Sequence, residues 1–228
     1  MVSTLRTTTR SAAIGGTAAL LAFPCLVVAA NLIQRNDYSA AREAVSNLAL
    51  GQAGWLMTLA FLALGSGTLL VGVLVRRLIP GAIVGPVLLA AGACTTLLSA
   101  VFQTDAEGAS STLHGTIHIA LGLGSFALVI ASITACTVSF LRSRQRRGIG
   151  ILSAVWAIAA FGAVVLTFVL PESMFGIGQR VFLAVAISWM LMICLAGIRD
   201  RTNLQRGPER SAASDFASPS GASAGRSS

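Results

Sequence analysis

Six stretches of this chain are apolar for twenty-odd residues at a time: Ala12–Ile33, Ala53–Val75, Ala82–Phe102, His114–Leu141, Ile149–Leu170 and Ile177–Ile198. None holds a charged side chain except the last, with Arg180 in its first turn. A bilayer core of about 30 Å is crossed by about 20 residues of helix. In hydrocarbon the backbone must satisfy its own hydrogen bonds, and a helix does so within one segment. The expected fold is therefore an all-α integral membrane protein with six transmembrane helices and short loops. Composition leaves nothing for a soluble domain: 55% of residues are hydrophobic and 11% charged, with a mean hydropathy of +0.81. The expected organisation is a cytoplasmic N-terminus over 1–11, a transmembrane domain over 12–198 and a tail over 199–228. The tail is rich in Ser, Ala, Gly and Pro, too poor in apolar residues to offset the entropy of ordering, and is expected to be disordered.

The charges sort by loop. Arg6, Arg10, Arg76, Arg77, Arg142, Arg144, Arg146, Arg147, Arg199, Arg201, Arg206, Arg210 and Arg226 fall on one side of the six spans. Asp37, Glu43, Asp105, Glu107 and Glu172 fall on the other, with Arg35, Arg42 and Arg180. Basic residues stay inside during insertion, which predicts both termini in the cytoplasm of a multi-pass plasma-membrane protein. The net charge of +8 then serves orientation and contact with membrane lipids, and no nucleic-acid partner is expected, since no basic face interleaved with aromatics exists. Arg6 and Arg10 before an apolar run ending Val28-Ala29-Ala30 resemble a signal peptide, but the run exceeds the usual 7–15 residues, so a retained helix is expected. Cys25, Cys94, Cys136 and Cys194 lie in four different spans without C-x-x-C spacing and read as packing residues. Gly65, Gly67, Gly72, Gly81, Gly85, Gly122 and Gly124 read as close-approach positions between helices. Pro24 and Pro86 are expected to loosen their helices.

The chemistry-bearing residues gather on the acidic side. Thr112 or Ser111 is placed to cap the fourth span, with His114 in its first turn and His118 one turn deeper. Residues four apart share a helix face, so the pair forms a half-site for zinc, with Asp105 as third ligand and Glu43 in reserve. Arg180 is expected to pair with an acid or to bind an anionic group, in a cluster with Arg42, Glu43 and Asp105. Ser46 is a candidate nucleophile or substrate contact. Around it, Tyr38 to Leu50 reads as a short amphipathic helix capped by Ser39 and ended by Gly51, with Trp55 beyond it at headgroup depth.

Several of these motifs resemble a family of bacterial and archaeal membrane proteins known as domain of unknown function 998. They are Tyr38-Ser39, Val45-Ser46-Asn47-Leu48-Ala49-Leu50-Gly51, Gly54-Trp55, Val101-Phe102-Gln103-Thr104-Asp105, Leu113-His114-Gly115-Thr116-Ile117-His118 and Gly178-Gln179-Arg180. The family often has Pro where Gln103 stands. The resemblance spans roughly residues 14 to 198 and implies a six-span membrane domain with no established activity. Ser46, Asp105, His114 and His118 also resemble the Ser, Asp and H-x-x-x-H set of the alkaline ceramidases and progestin/adipoQ receptors. Those have seven spans and carry the histidine motif on the last.

The functional expectation is a polar site at the extracytoplasmic mouth that binds or modifies a lipidic substrate. Its mechanistic form has His114, His118 and Asp105 holding zinc and Arg180 orienting an anionic group. One alternative is an acid-catalysed isoprenoid cyclase using Asp105 or Glu43. Another is an accessory or structural protein whose polar cluster locks the loops. Transport is least favoured, because no span carries a mid-membrane charge.

Overall fold

The computed structural model describes the backbone of residues 2–216 apart from Glu107, and side chains from Thr9 to Arg199 with the same exception. It is helical throughout, with no strand among the described residues. The six helices are α1 (Val2–Ile33), α2 (Gly54–Leu78), α3 (Val84–Leu98), α4 (Leu113–Arg142), α5 (Arg147–Val169) and α6 (Phe175–Phe216). Five are long and apolar enough to cross a membrane; α3 is a shorter apolar helix of 15 residues. Its early end is a departure from the expected span to Phe102. Thr95, Thr96 and Ser99 turn their hydroxyls onto carbonyls of their own helix. Beyond Leu98 the chain tightens into turns over 99–102, Ala100 N donating to Leu97 O and Val101 N to Leu98 O, each bond one residue shorter than the α-helical spacing. Helix α6 runs past the boundary drawn at Arg199, its backbone helical to Phe216, while residues 217–228 of the expected tail lie outside the described residues.

Each helix packs on its neighbours in sequence, and α6 closes the bundle against α1 and α2. The apolar faces left outside, such as Ile158 and Phe161 on α5, suit a hydrocarbon surround. Without water to drive association, close approach and hydrogen bonds hold the helices together. A side chain at Gly85 would run into Cys136, and one at Gly67 into Leu20. Between α5 and α6 two indoles are bonded to serines: Trp156 Nε1 donates to Ser188 Oγ at 2.7 Å, and Trp189 Nε1 to Ser153 Oγ at 3.0 Å. Cys136 and Cys194 are buried, Cys25 and Cys94 exposed, and all four are free thiols.

The arginines mark one end of the bundle. Arg76 and Arg77 lie in the last turn of α2, Arg142 in that of α4, and Arg144 and Arg146 in the 3-10 turn before α5. The opposite end carries the histidines and the long loop between α1 and α2.

Candidate functional site

That loop does not form the expected helix from Ser39. Only Val45–Leu50 is helical, as a 3-10 helix with no side-chain cap. Ser39 instead donates its main-chain amide to Glu43 Oε1 at 2.8 Å. The carbonyls that would build a helix over 40–43 are all taken by the start of α6. Gly176 N donates to Arg42 O at 3.2 Å and Ile177 N to Ala41 O at 3.1 Å. Arg180 Nη1 donates to Ala40 O at 2.7 Å and to Glu43 O at 3.1 Å. The exchange caps α6, whose first amides have no partner within the helix. Gly176 permits it, since a Cβ there would collide with the Glu43 and Ala40 carbonyls.

Arg180 therefore binds main-chain oxygens rather than an acid. Its Nη2 also donates to the Tyr38 hydroxyl, and its guanidinium lies 5.6 Å from the centre of the Tyr38 ring. Burial pushes the Tyr38 hydroxyl above its ordinary 10.0, against the lowering pull of Arg180. Arg42 and Glu43 make an ion pair with each other at 3.9 Å, and the expected four-residue charge cluster does not assemble. Arg42, Glu43, Asn47 and Glu172 line an open surface hollow of about 410 Å³.

Two glutamines hold the 3-10 helix over the bundle. Gln179 Oε1 accepts from Val45 N at 2.7 Å, and Gln34 Nε2 donates to Leu48 O at 3.0 Å. Beneath it lies an interior cavity of about 70 Å³, whose polar lining is Ser46, Thr96, Ser99, His118, Ser125 and Gln179. A second cavity of about 30 Å³ continues toward the middle of the bundle, sharing Thr96 and Ser125 and adding Thr68.

The two histidines part company here. Thr112 caps α4 as expected, its hydroxyl accepting from Gly115 N at 3.1 Å. His114, in the first turn, is exposed, with its ring 5.4 Å from that of Phe102. His118 is buried, edge-on to Phe61, and its Nδ1 is 2.7 Å from Phe102 O. A carbonyl only accepts, so Nδ1 carries the proton, and in the neutral ring Nε2 is the acceptor.

Asp105 is committed to Thr112. Oδ2 accepts from its amide at 2.8 Å and Oδ1 from its hydroxyl at 2.6 Å. Those bonds hold the carboxyl below its ordinary 3.8, with a smaller contribution from His114. Gly115 makes the room, since a Cβ there would stand inside the Asp105 carboxylate. No group of three metal-ligating side chains forms among the described residues, so His114, His118 and Asp105 are neighbours without being a ligand set.

Sequence reasoning singled out Ser46 and His118 but not their companions. Gln34, Gln179 and the hydroxyls at 96, 99 and 125 were visible as polar residues within or at the ends of apolar runs; the Phe102 carbonyl left no signal.

Fold and cavity together define a polytopic helical membrane protein with a small, largely apolar chamber under one loop, into which His118 and a few other polar side chains are set. Within that class the chain belongs to the family described as Protein of unknown function (DUF998), which matches residues 16–196 and so takes in nearly the whole bundle. No curated protein and no solved structure gives a match.

Proposed function

We propose that the protein receives the polar end of a lipidic substrate in the chamber beneath Val45–Leu50 and modifies it with His118 as the proton acceptor. The observation that carries this is a buried imidazole, its Nδ1 held by the Phe102 carbonyl, lining a cavity together with Ser46 and Gln179. About 70 Å³ is room for roughly five water-sized groups, which suits a headgroup fragment while the chains stay in the bilayer. A positioned base of this kind supplies about 10²–10⁴-fold in rate. Ser46 is the hydroxyl to carry or position the transferred group. Arg42, lining the open hollow beside its partner Glu43, is the guanidinium there to meet an anionic headgroup, since Arg180 is bonded to the loop. The arginine-rich opposite end supports an extracytoplasmic placement of this chamber in the plasma membrane.

Zinc held by His114, His118 and Asp105 draws less support, because Asp105 would have to leave Thr112. Acid-catalysed cyclisation by Asp105 also draws less, because a carboxyl held below its ordinary range is a poor proton donor, and Glu43 faces the open hollow and not the chamber. The accessory reading is favoured by one observation, the four carbonyls of residues 40–43 fastened to α6.

The test is photocrosslinking with a phospholipid bearing a diazirine on its headgroup. Adducts on Ser46 and on α4 between His118 and Ser125, lost when Gly122→Phe fills the chamber, are the expected result. Adducts confined to surface residues such as Asn47 and Glu172 would sink the proposal.

A further inference from the structure

At the arginine-rich end, away from the His118 chamber, a groove of about 650 Å³ is lined by α2 and the beginning of α3. Its walls are apolar, with Leu69 and Val73 on one side and Ile83 and Val87 on the other. At its floor Gly72 brings α2 close to α3: a Cβ there would stand 3.4 Å from the Pro86 carbonyl. Val73, Ile83 and Val87 are exposed, so in a bilayer this trough faces acyl chains.

Arg76 and Arg77 line the same groove from the last turn of α2. The 25 residues of α2 rise about 38 Å, so that turn stands in the headgroup layer beyond a core of about 30 Å. Both guanidiniums are tethered in place. Arg76 Nη1 donates to Ala82 O at 3.1 Å and also to Pro80 O, and Arg77 Nη1 donates to Thr9 Oγ1 at 3.1 Å. Among the described residues the groove's lining holds no acidic side chain. An apolar trough ending at two held cations has the shape and charge of one amphiphile, a fatty chain carrying a phosphate.

We propose that this groove binds an anionic phospholipid, with an acyl chain along Leu69, Val73 and Val87 and its phosphate on Arg76 and Arg77. The experiment is native mass spectrometry of the full chain released from detergent with equal phosphatidylglycerol and phosphatidylcholine. Both lipids carry a phosphate, but the choline ammonium cancels the charge of phosphatidylcholine, so two guanidiniums, each favouring a net negative lipid about fivefold, should retain phosphatidylglycerol about tenfold or more over phosphatidylcholine. Arg76→Gln with Arg77→Gln should abolish that preference, while Arg76→Lys with Arg77→Lys keeps it, separating loss of charge from loss of fold. Val87→Trp, which fills the trough and leaves both arginines, should abolish retention. Equal retention of the two lipids, a preference that survives the double glutamine variant, or retention unchanged in Val87→Trp would each overturn the site. A lipid-free dimer that Val87→Trp dissociates would also overturn it and assign the groove to a second copy of the chain.

Discussion

His118 and Phe102 are joined across the α3–α4 loop by a 2.7 Å contact from the ring Nδ1 to the main-chain carbonyl. Helix α3 stops at Leu98 and the chain turns, so this carbonyl is offered to the side chain. His114, one helical turn away, is exposed, with its ring against Phe102 and the Asp105 carboxylate nearby. The two imidazoles of one motif therefore occupy different environments, and their chemistry should differ accordingly. Diethyl pyrocarbonate should modify His114 rapidly and His118 at least tenfold more slowly, as followed by peptide mass spectrometry. Equal rates would mean that the chamber is open to bulk water.

Arg180 fastens the α1–α2 loop through its bonds to Ala40, Glu43 and Tyr38. Hydrogen bonds to a charged group contribute about 1.5–3 kcal/mol each, and losing several on a half-buried side chain should cost about 3 kcal/mol in all. Arg180→Ala should thus lower the unfolding midpoint in detergent, read by a thiol-reactive dye reporting the buried Cys136 and Cys194. Arg180→Lys should recover only part of it, because an ammonium does not fork between Tyr38 and the carbonyls. Full recovery by lysine would contradict this geometry.

Gly115 and the Asp105 carboxylate compete for one volume. Gly115→Ala should push Asp105 off Thr112, weakening a helix cap worth about 1 kcal/mol. In an Asp105→Ala background the same substitution should cost almost nothing, and the double-mutant cycle reads that coupling. Additive losses would show that the two residues do not share the site.

The Asp105 carboxyl titrates below its ordinary 3.8 because Thr112 bonds its charged form. A depressed folded-state value gives stability that is complete above about pH 4 and is lost as pH falls through that lower value. Wild-type protein should therefore lose stability below about pH 4, and Asp105→Asn should lack that component. A matching acid profile in the variant would place the titration elsewhere.

Much of this architecture was legible in the residues. Apolar run length gave the helices, and the placement of arginine gave the two ends, because both depend on transfer energies local to each segment. The Thr112 cap was legible for the same reason. What escaped was decided by partners distant in sequence. The expected helix after Ser39 fails because Gly176, Ile177 and Arg180 claim its carbonyls from over 130 residues away. The H-x-x-x-H spacing placed both histidines on α4, but only the turn at 99–102 determines that His118 is buried and His114 is not. Asp105 read as a metal ligand because sequence shows a carboxylate near two imidazoles and not the threonine that takes both oxygens.

The central claim is that His118 is the reactive group, and turnover in proteoliposomes tests it most directly. Wild type, His118→Gln and His114→Gln are reconstituted side by side with phosphatidylglycerol, phosphatidylethanolamine and a polyprenyl phosphate, and lipid composition is followed by mass spectrometry. The account predicts that wild type converts one of these lipids, that His114→Gln retains most of the rate and that His118→Gln loses at least about 100-fold. Conversion by His118→Gln at the wild-type rate would contradict it.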